Sequence, residues 1–288
     1  MLPTLFKIGP ISIHSYGLMM AIAFLTALYL GRRDAKRFGL DPDQVSDCAF
    51  WVLVLGLMGT RVLYILMFPG QFSWHRPLEW IAIWQGGLVF QGGLPPALIF
   101  LYLYARRHKM GFWNALDMAA PYVALGHGIG RIGCFLNGCC YGKRTDLPWG
   151  ISFPRVPFDT SMPFDGSPVY IDHAQQFAFD TGLDQWSYPV HPTQLYEAVG
   201  LAIMFLALLY LRKHWRPFHG SIFAVYFMLY GVFRFIIEMF RGDHNPTHIL
   251  NLSDQQWFSV AALVIGAILF LILRKADVGG NRVAPQSK

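Results

Sequence analysis

The chain has 288 residues, of which 54% are hydrophobic and only 14% are charged. Because ordinary soluble domains contain roughly 25% charged residues, this composition excludes a disordered chain, a coiled coil and a soluble globular enzyme. The net charge of +6 alone would suit a nucleic-acid partner, but the positions of the basic residues explain it by membrane topology. We therefore predict a membrane protein without a nucleic-acid partner.

Seven segments predict membrane-spanning helices, since each holds about 20 mostly apolar residues. No Asp, Glu, Lys or Arg occurs in three of them, which are 8–31, 80–105 and 255–273. The other four contain at least one ionisable residue and are 48–68, 118–137, 194–211 and 217–240. Paired glycines in QGGLVFQGGL (85–94) weaken a helix and predict an irregular entry to the third span.

The distribution of Lys and Arg predicts the orientation, because cytoplasmic connections carry an excess of them. Fourteen lie in 31–47, 105–118, 211–220 and 274–288, and six lie in the N-terminus and the connections on the other side. The N-terminus is therefore expected outside and the C-terminus in the cytoplasm. The remaining three are Arg61, Arg131 and Arg234, which lie inside spans.

The spans divide the chain into four parts. Residues 1–137 hold the first four spans, 138–193 connect them to the last three in 194–274, and 275–288 form a cytoplasmic tail. The 138–193 connection contains seven prolines and is too long for a plain loop. The predicted fold is an all-α polytopic membrane protein of about seven transmembrane helices. A small extracytoplasmic head, with short strands such as 149–153, is expected between the fourth and fifth.

Charged side chains within the sixth span suggest a functional site. Each costs about 2.5–3.5 kcal/mol on insertion, and Tyr230, Arg234, Glu238 and Arg241 fall on one helix face. An Arg234–Glu238 pair that neutralises itself for insertion is the structural alternative. That pair leaves the second arginine and the tyrosine on the same face unexplained.

The fourth span adds His127 and Arg131 within the glycine-rich stretch GHGIGRIGCFLNGCCYG. Glycines are common where membrane helices pack, but beside a buried arginine they also leave room for a bulky anion. Arg131 and Arg234 are two arginines in spans without matching carboxylates in the sequence pattern. They predict a phosphate ligand, which a guanidinium group binds through two oxygens, and a phospholipid headgroup is the phosphate most available there.

Four cysteines are too few for a disulfide scaffold. The C-x4-C-C spacing over 134–140 matches no zinc pattern. The sequence therefore predicts no metal and no cofactor.

The stretch GRIGCFLNGCCYG (130–142) resembles the signature of the bacterial prolipoprotein diacylglyceryl transferases, which reads roughly G-R-x-G-N-F-x-N-x-E-x-x-G. The resemblance covers about residues 8–270 and implies the same seven-span architecture with a periplasmic head. Four further blocks match in the same order: HSYGLM (14–19), QGGLVFQGGL (85–94), HPTQLYE (191–197) and YGVFRFIIEMFR (230–241).

The resemblance implies the first step of lipoprotein maturation in the bacterial cytoplasmic (inner) membrane. The diacylglyceryl group of phosphatidylglycerol passes to the lipobox cysteine thiol of a prolipoprotein signal peptide, which forms a thioether and releases glycerol-1-phosphate. Arg131 and Arg234 match the essential arginines of the family and would stabilise charge on the departing phosphate. Glu238 is assigned to the catalytic set, and the positions assigned to phosphatidylglycerol binding are Tyr16, Gln91, Asn137, Gly142 and Tyr230.

Three residues depart from the family pattern. Gln91 stands where the family often has a histidine, and glutamine cannot take the proton of a thiol whose pKa is about 8.5. We therefore propose His127, one turn before Arg131, as the base. Cys134 and Cys139 replace the signature Asn and Glu. Small buried residues or a disulfide on the oxidising side would explain them.

Two other functions are compatible with the same residues. One is a diverged paralogue that uses another acceptor, and the other is a non-catalytic phospholipid-binding membrane protein. A transporter would favour inverted repeats, and none is visible in the sequence. A binding protein would tolerate Arg131→Lys, whereas bidentate stabilisation of phosphate would not.

Overall fold

The computed structural model describes residues 4–8, 11–72, 80, 87, 89–155, 167–177, 185–243 and 250–278. Within them the chain forms eight α-helices and one β-hairpin. It divides into two compact units, one made of residues 1–27 with 119–288 and the other of residues 28–118.

The chain begins with a hairpin rather than with the first span. Strands β1 (Thr4–Ile8) and β2 (Ile11–His14) pair antiparallel, with Ile8 opposite Ile11. The predicted span began at residue 8, but helix α1 runs from Ser15 to Ala35. The reason is that the β-branched residues of β2 suit an extended strand, so apolar character alone misplaced the start of the helix.

Residues 28–118 contain helices α2 (Pro42–Met67) and α3 (Leu94–Arg107). Helix α2 has Pro42 in its first turn, and the side chain of Asp41 caps it by accepting a hydrogen bond from the Asp43 amide at 2.9 Å. The buried Arg61 donates hydrogen bonds to the carbonyls of Trp80 at 3.2 Å and Gly87 at 3.0 Å. Arg61, which lies inside the predicted second span, therefore has backbone hydrogen-bond partners within this unit.

The third predicted span differs from the structure at its start. The helix begins only at Leu94, after a 3₁₀ turn at Phe90–Gly93, which confirms the predicted irregular entry. A Cβ on Gly92 would lie 2.5 Å from the carbonyl oxygen of Gly59, so the close packing of this turn on α2 requires glycine. Most of residues 73–88 lies outside the described residues.

The other unit is built on helices α4 (Phe112–Asn137), which enters it at residue 119, α6 (Thr193–His214), α7 (Ser221–Phe240) and α8 (Asp254–Val278). Its core joins α4, α6 and α7 through apolar side chains, and Leu201 and Leu208 are completely buried. The core members are Ala120, Ala124, Leu201, Met204, Leu208, Ile222 and Tyr226.

The described part of the 138–193 connection has a small core of its own. Tyr141, Phe153, Val169 and Val190 pack together there. A helix, α5 (Pro168–Gln176), lies in this segment, for which the sequence predicted only short strands. The proposed strand 149–153 contributes only an isolated bridge between Ile151 and Val190. Residues 156–166 and 178–184 lie outside the described residues.

Among the described residues, five helices are long and apolar enough to cross a membrane: Ser15–Phe38, Pro42–Met67, Thr193–His214, Ser221–Phe240 and Asp254–Ala276. They confirm a polytopic, mainly helical membrane protein. The third and fourth predicted spans are not in this set. Helix α3 has only 14 residues, and α4 carries charges and glycines along its 26 residues.

Candidate functional site

One buried carboxylate, that of Glu197, forms ion pairs with three arginines. Its side chain is 1% exposed, and its Oε2 lies 2.7 Å from Arg131 Nε. Its Oε1 lies 3.5 Å from both Arg234 Nη1 and Arg241 Nη1. The residue thus connects α4, α6 and the C-terminal end of α7. The expectation that Arg131 and Arg234 lack carboxylate partners was wrong, because Glu197 reaches both from a third helix.

The charged face predicted on α7 is present and buried. Arg234 Nη2 lies 2.9 Å from Glu238 Oε2, and Glu238 Oε1 accepts a hydrogen bond from Ser253 Oγ at 3.0 Å. Arg241 holds Asp243 through two parallel hydrogen bonds of 2.7 and 2.8 Å. The Arg234–Glu238 pair therefore exists, but it is one part of a network that also includes Glu197.

The network is balanced in charge but incomplete in hydrogen bonds. Three arginines face three carboxylates, those of Glu197, Glu238 and Asp243. Arg131 Nε and Arg234 Nη1 are nevertheless buried without a well-aligned hydrogen bond in the described part of the chain. Buried polar atoms in this state are rare. Both nitrogens face Glu197 in imperfectly aligned ion pairs, so an anionic ligand would compete with Glu197 for them.

Gly142 is in close backbone contact with two other elements of the site. Its amide donates to the His191 carbonyl at 2.9 Å, and it forms a bridge with Arg241. A Cβ at this position would lie 2.5 Å from His191 Cβ and 2.8 Å from the Phe240 carbonyl oxygen. Gly142 therefore positions the start of α6 beside the end of α7, so that Glu197 and Arg241 meet.

Three thiols meet at the end of α4. Gly138 (φ 75°) and Cys140 (φ 64°) adopt left-handed backbone conformations that end the helix and turn the chain back. The sulfur atoms of Cys134, Cys139 and Cys140 consequently lie within 4.8 Å of one another. The pKa of the Cys140 thiol is lowered by hydrogen bonds from the other two thiols and by the positive charges of Arg241 and Arg131.

The remaining predicted residues have separate positions. The His127 and Tyr230 rings lie 5.6 Å apart between centroids. A Cβ on Gly133 would lie 3.3 Å from Tyr16 Cδ2, so Tyr16 packs on α4 close to Arg131. Asn137 is the last residue of α4. Gln91 lies in the Phe90–Gly93 turn, and its side chain is outside the described residues.

Sequence reasoning missed two members of the site. Glu197 was part of the HPTQLYE block but received no role, although a lone carboxylate in an apolar span is a functional signal. Arg241 was placed on the correct face of α7 but was left out of the site. The spacing of the cysteines along the chain does not show that their sulfur atoms lie close together, because it does not predict the turn at Gly138.

Comparison with known proteins gives a consistent result. A family model described as prolipoprotein diacylglyceryl transferase matches residues 3–272. A phosphatidylglycerol–prolipoprotein diacylglyceryl transferase from Xanthomonas euvesicatoria pv. vesicatoria is 34% identical over 282 residues, which cover 96% of this chain and 92% of the relative. The protein of the same name from Stenotrophomonas maltophilia is 35% identical over 289 residues and covers 96% and 93% of the two chains.

Replacing Glu197 with Gln tests its role as the common partner of the arginines. The substitution keeps the shape of the side chain and removes its charge, which leaves buried guanidinium groups uncompensated. We expect the free energy of unfolding to fall by about 3–5 kcal/mol. Thermal and denaturant unfolding of the detergent-solubilised protein measures this change.

The matched control is Asp43→Asn, which removes the exposed Arg32–Asp43 pair of 2.6 Å. That change should cost less than about 1 kcal/mol, because water screens the exposed pair. Equal losses for the two substitutions would contradict the role assigned to Glu197.

Proposed function

Because the chain belongs to the prolipoprotein diacylglyceryl transferase family, we propose that it transfers diacylglyceryl from phosphatidylglycerol to a prolipoprotein. The acceptor is the thiol of the lipobox cysteine in the signal peptide, and the products are a thioether and glycerol-1-phosphate. The observation that carries this proposal is the buried network in which Arg131 and Arg234 meet at Glu197, because two neighbouring guanidinium groups suit a phosphate.

The proposed chemistry is a displacement at carbon. The acceptor sulfur attacks the carbon of the diacylglyceryl unit that bears the phosphate, so that a C–S bond forms and the C–O bond breaks. Glycerol-1-phosphate leaves with the electron pair of that bond. Arg131 and Arg234 stabilise the negative charge that develops on the leaving phosphate, and donors already in position are effective because they need no reorganisation.

The carboxylates act through the arginines. Glu197 and Glu238 hold Arg131 and Arg234 at 2.7 and 2.9 Å, which fixes the guanidinium groups before the lipid arrives. Glu238, which the sequence assigned to the catalytic set, is thus proposed as a positioning residue. Pre-organisation of this kind lowers the cost of binding.

The sequence also assigns four side chains to contact with the lipid. Tyr16 packs beside α4, and Tyr230 lies one turn before Arg234 on α7. With Asn137 and Gln91 they are proposed to contact phosphatidylglycerol. Gly142 is proposed to act through its backbone, because it fixes the elements that carry Glu197 and Arg241.

We propose seven spans, with α3 and α4 added to the five apolar helices. The 26 residues of α4 extend about 39 Å, which exceeds the roughly 30 Å hydrocarbon core. Helix α3 has only 14 residues, and its place among the spans is proposed from the charge-free sequence of residues 80–105. The excess of basic residues in alternate connections supports an external N-terminus, an extracytoplasmic head and a cytoplasmic C-terminus in the bacterial inner membrane.

Arg131→Ala tests the transferase function. Purified protein in detergent receives phosphatidylglycerol and a synthetic lipobox peptide, and mass spectrometry measures the diacylglyceryl gain on the peptide cysteine. We expect the substitution to slow transfer by about 10²–10³-fold, as for loss of one preorganised donor. Arg131→Lys should fail similarly, because an ammonium group cannot bind two phosphate oxygens in a planar fork.

The control is Arg32→Ala, since Arg32 is an exposed arginine paired with Asp43, and it should leave transfer unchanged. If the unaltered chain binds phosphatidylglycerol through Arg131 but never modifies the peptide, the protein is a lipid binder or uses another acceptor. The proposed function would then be wrong.

His127→Gln tests the proposed base. The transfer rate of the unaltered protein should exceed that of the variant by the largest factor near neutral pH, where a thiol of pKa about 8.5 is mostly protonated. The difference should shrink as the pH rises towards that value, because free thiolate becomes abundant. Initial transfer rates between about pH 6 and 9 measure this. His214→Gln, at the cytoplasmic end of α6, is the control, and an unchanged profile for the His127 variant would exclude His127 as the base.

The proposed orientation can be tested with C-terminal reporters. Green fluorescent protein fused after residue 288 should fluoresce, and alkaline phosphatase fused there should be inactive, because the C-terminus is expected in the reducing cytoplasm. Active phosphatase together with a non-fluorescent fusion would reverse the topology. Immunoblots of both fusions control for their expression.

A further inference from the structure

We propose that Cys134, Cys139 and Cys140 bind a zinc ion and that the fourth position of this ion receives the acceptor thiol. This inference rests on the proposed function, because the acceptor is the cysteine of the prolipoprotein. It replaces the expectation from the sequence that no metal is involved, which was based on spacing along the chain alone.

The three sulfur atoms are close enough to share one ion. They lie within 4.8 Å of one another, and Zn–S bonds of about 2.3 Å place sulfur ligands roughly 3.8–4.0 Å apart. A closure of about one ångström is therefore sufficient, which rotation of the cysteine side chains provides. The three cysteines are free thiols, so each is available as a ligand.

The backbone around the cluster is built to hold these thiols in place. Gln194 Nε2 donates to the Cys139 carbonyl and Thr193 Oγ1 donates to the Cys140 carbonyl, both at 2.8 Å. Thr193 and Gln194 are completely buried. Cys140 is held at φ 64°, a costly conformation for a residue other than glycine, and such strain concentrates at functional sites. Outer groups that orient ligands in this way are typical of metal centres.

The number of ligands indicates a reactive rather than a structural ion. Structural zinc sites have four protein ligands, whereas catalytic sites have three and leave one position open. Among the residues that the structure describes, the group of potential metal ligands comprises only these three cysteines. Thiolates select soft or borderline metals such as zinc over magnesium or calcium.

The position of the cluster connects it to the phosphate site. Cys134 follows Arg131 by three residues on α4, so the two side chains share a helix face. Arg241 pairs through its backbone with Gly142, two residues after Cys140. An ion at the cluster would therefore hold the acceptor sulfur next to the arginines that receive the leaving phosphate.

The resulting reaction balances without a further reactant. An ion at the cluster would hold the acceptor as its thiolate, with the proton released to solvent, because coordination favours the thiolate. The bound sulfur attacks the glycerol carbon, a C–S bond forms, and the C–O bond to phosphate breaks with its electron pair on glycerol-1-phosphate. The thioether product carries no negative charge and leaves the ion.

The proposal explains the three departures from the family pattern together. Gln91 removes a group able to accept a proton from the thiol. Cys134 and Cys139 complete a site in which a metal charge lowers the thiol pKa instead. Replacement of the signature Asn and Glu by cysteine would therefore supply another way to activate the acceptor thiol.

Metal content is the first measurement. Full-length protein purified in detergent should contain about one zinc per chain by inductively coupled plasma mass spectrometry. Cys134→Ser, Cys139→Ser and Cys140→Ser should each lower this content. Cys48→Ser is the matched control, because Cys48 is a buried free cysteine on α2 outside the cluster, and its variant should retain zinc.

Cobalt replacement makes the test independent of variants that fail to fold. The unaltered protein loaded with Co²⁺ should show thiolate-to-cobalt charge-transfer absorption. A lipobox peptide should alter this spectrum, and the same peptide with serine in place of its cysteine should not. Removal of zinc by chelation should slow transfer by about 10²–10⁴-fold, the usual contribution of proton removal, and added zinc should restore the rate.

The outcomes separate this inference from the proposed function. Transfer by a protein that holds no zinc and tolerates chelation would overturn the metal site and leave the transferase function intact. Zinc bound through the three cysteines and a spectral response to the peptide, without transfer, would support the site and overturn the proposed function. A disulfide within the cluster, or copper in place of zinc, would overturn the inference.

Discussion

The burial of Glu197 among three arginines is the interaction on which the site depends. An ionised carboxylate with 1% exposure is tolerated only if positive charges compensate it. Arg131, Arg234 and Arg241 come from two other segments, so the helices must pack in one arrangement for this compensation to occur. The close contact at Gly142 permits that arrangement, because it joins the beginning of α6 to the end of α7 without space for a side chain. Stability and the geometry of the site therefore have the same cause.

The same network explains how a lipid phosphate is accommodated without an excess of buried charge beforehand. Three arginines and three carboxylates are neutral together, so the protein can fold with the site empty of lipid. The ion pairs are close but imperfectly aligned, since Arg131 Nε and Arg234 Nη1 make no well-aligned hydrogen bond among the described residues. A phosphate that replaces Glu197 at these nitrogens gains charge-assisted hydrogen bonds in place of imperfectly aligned ones.

Local sequence patterns predicted the parts of this molecule that depend on local physics. Continuous apolar runs located α2, α6, α7 and α8, and the helical period placed Arg234, Glu238 and Arg241 on one face. The approach of Glu197 to Arg131 depends on packing between helices and has no local signal. The start of α1 was misplaced because a β-branched strand is as apolar as a helix, and α5 was missed because nine residues carry little periodicity.

The three cysteines of the cluster come together because the backbone changes direction, which their spacing along the chain does not show. Cys139 follows Cys134 by five positions, which in a continued helix would place them about 140° apart. Left-handed Gly138 and Cys140 instead fold the chain back over the last turn of α4. Displacement at carbon requires the nucleophile and the leaving group on opposite sides of one atom, so a group that activates the thiol must lie near the arginines but not among them. The end of α4 meets the first condition, since Arg131 and Cys134 are only about 4.5 Å apart along its axis.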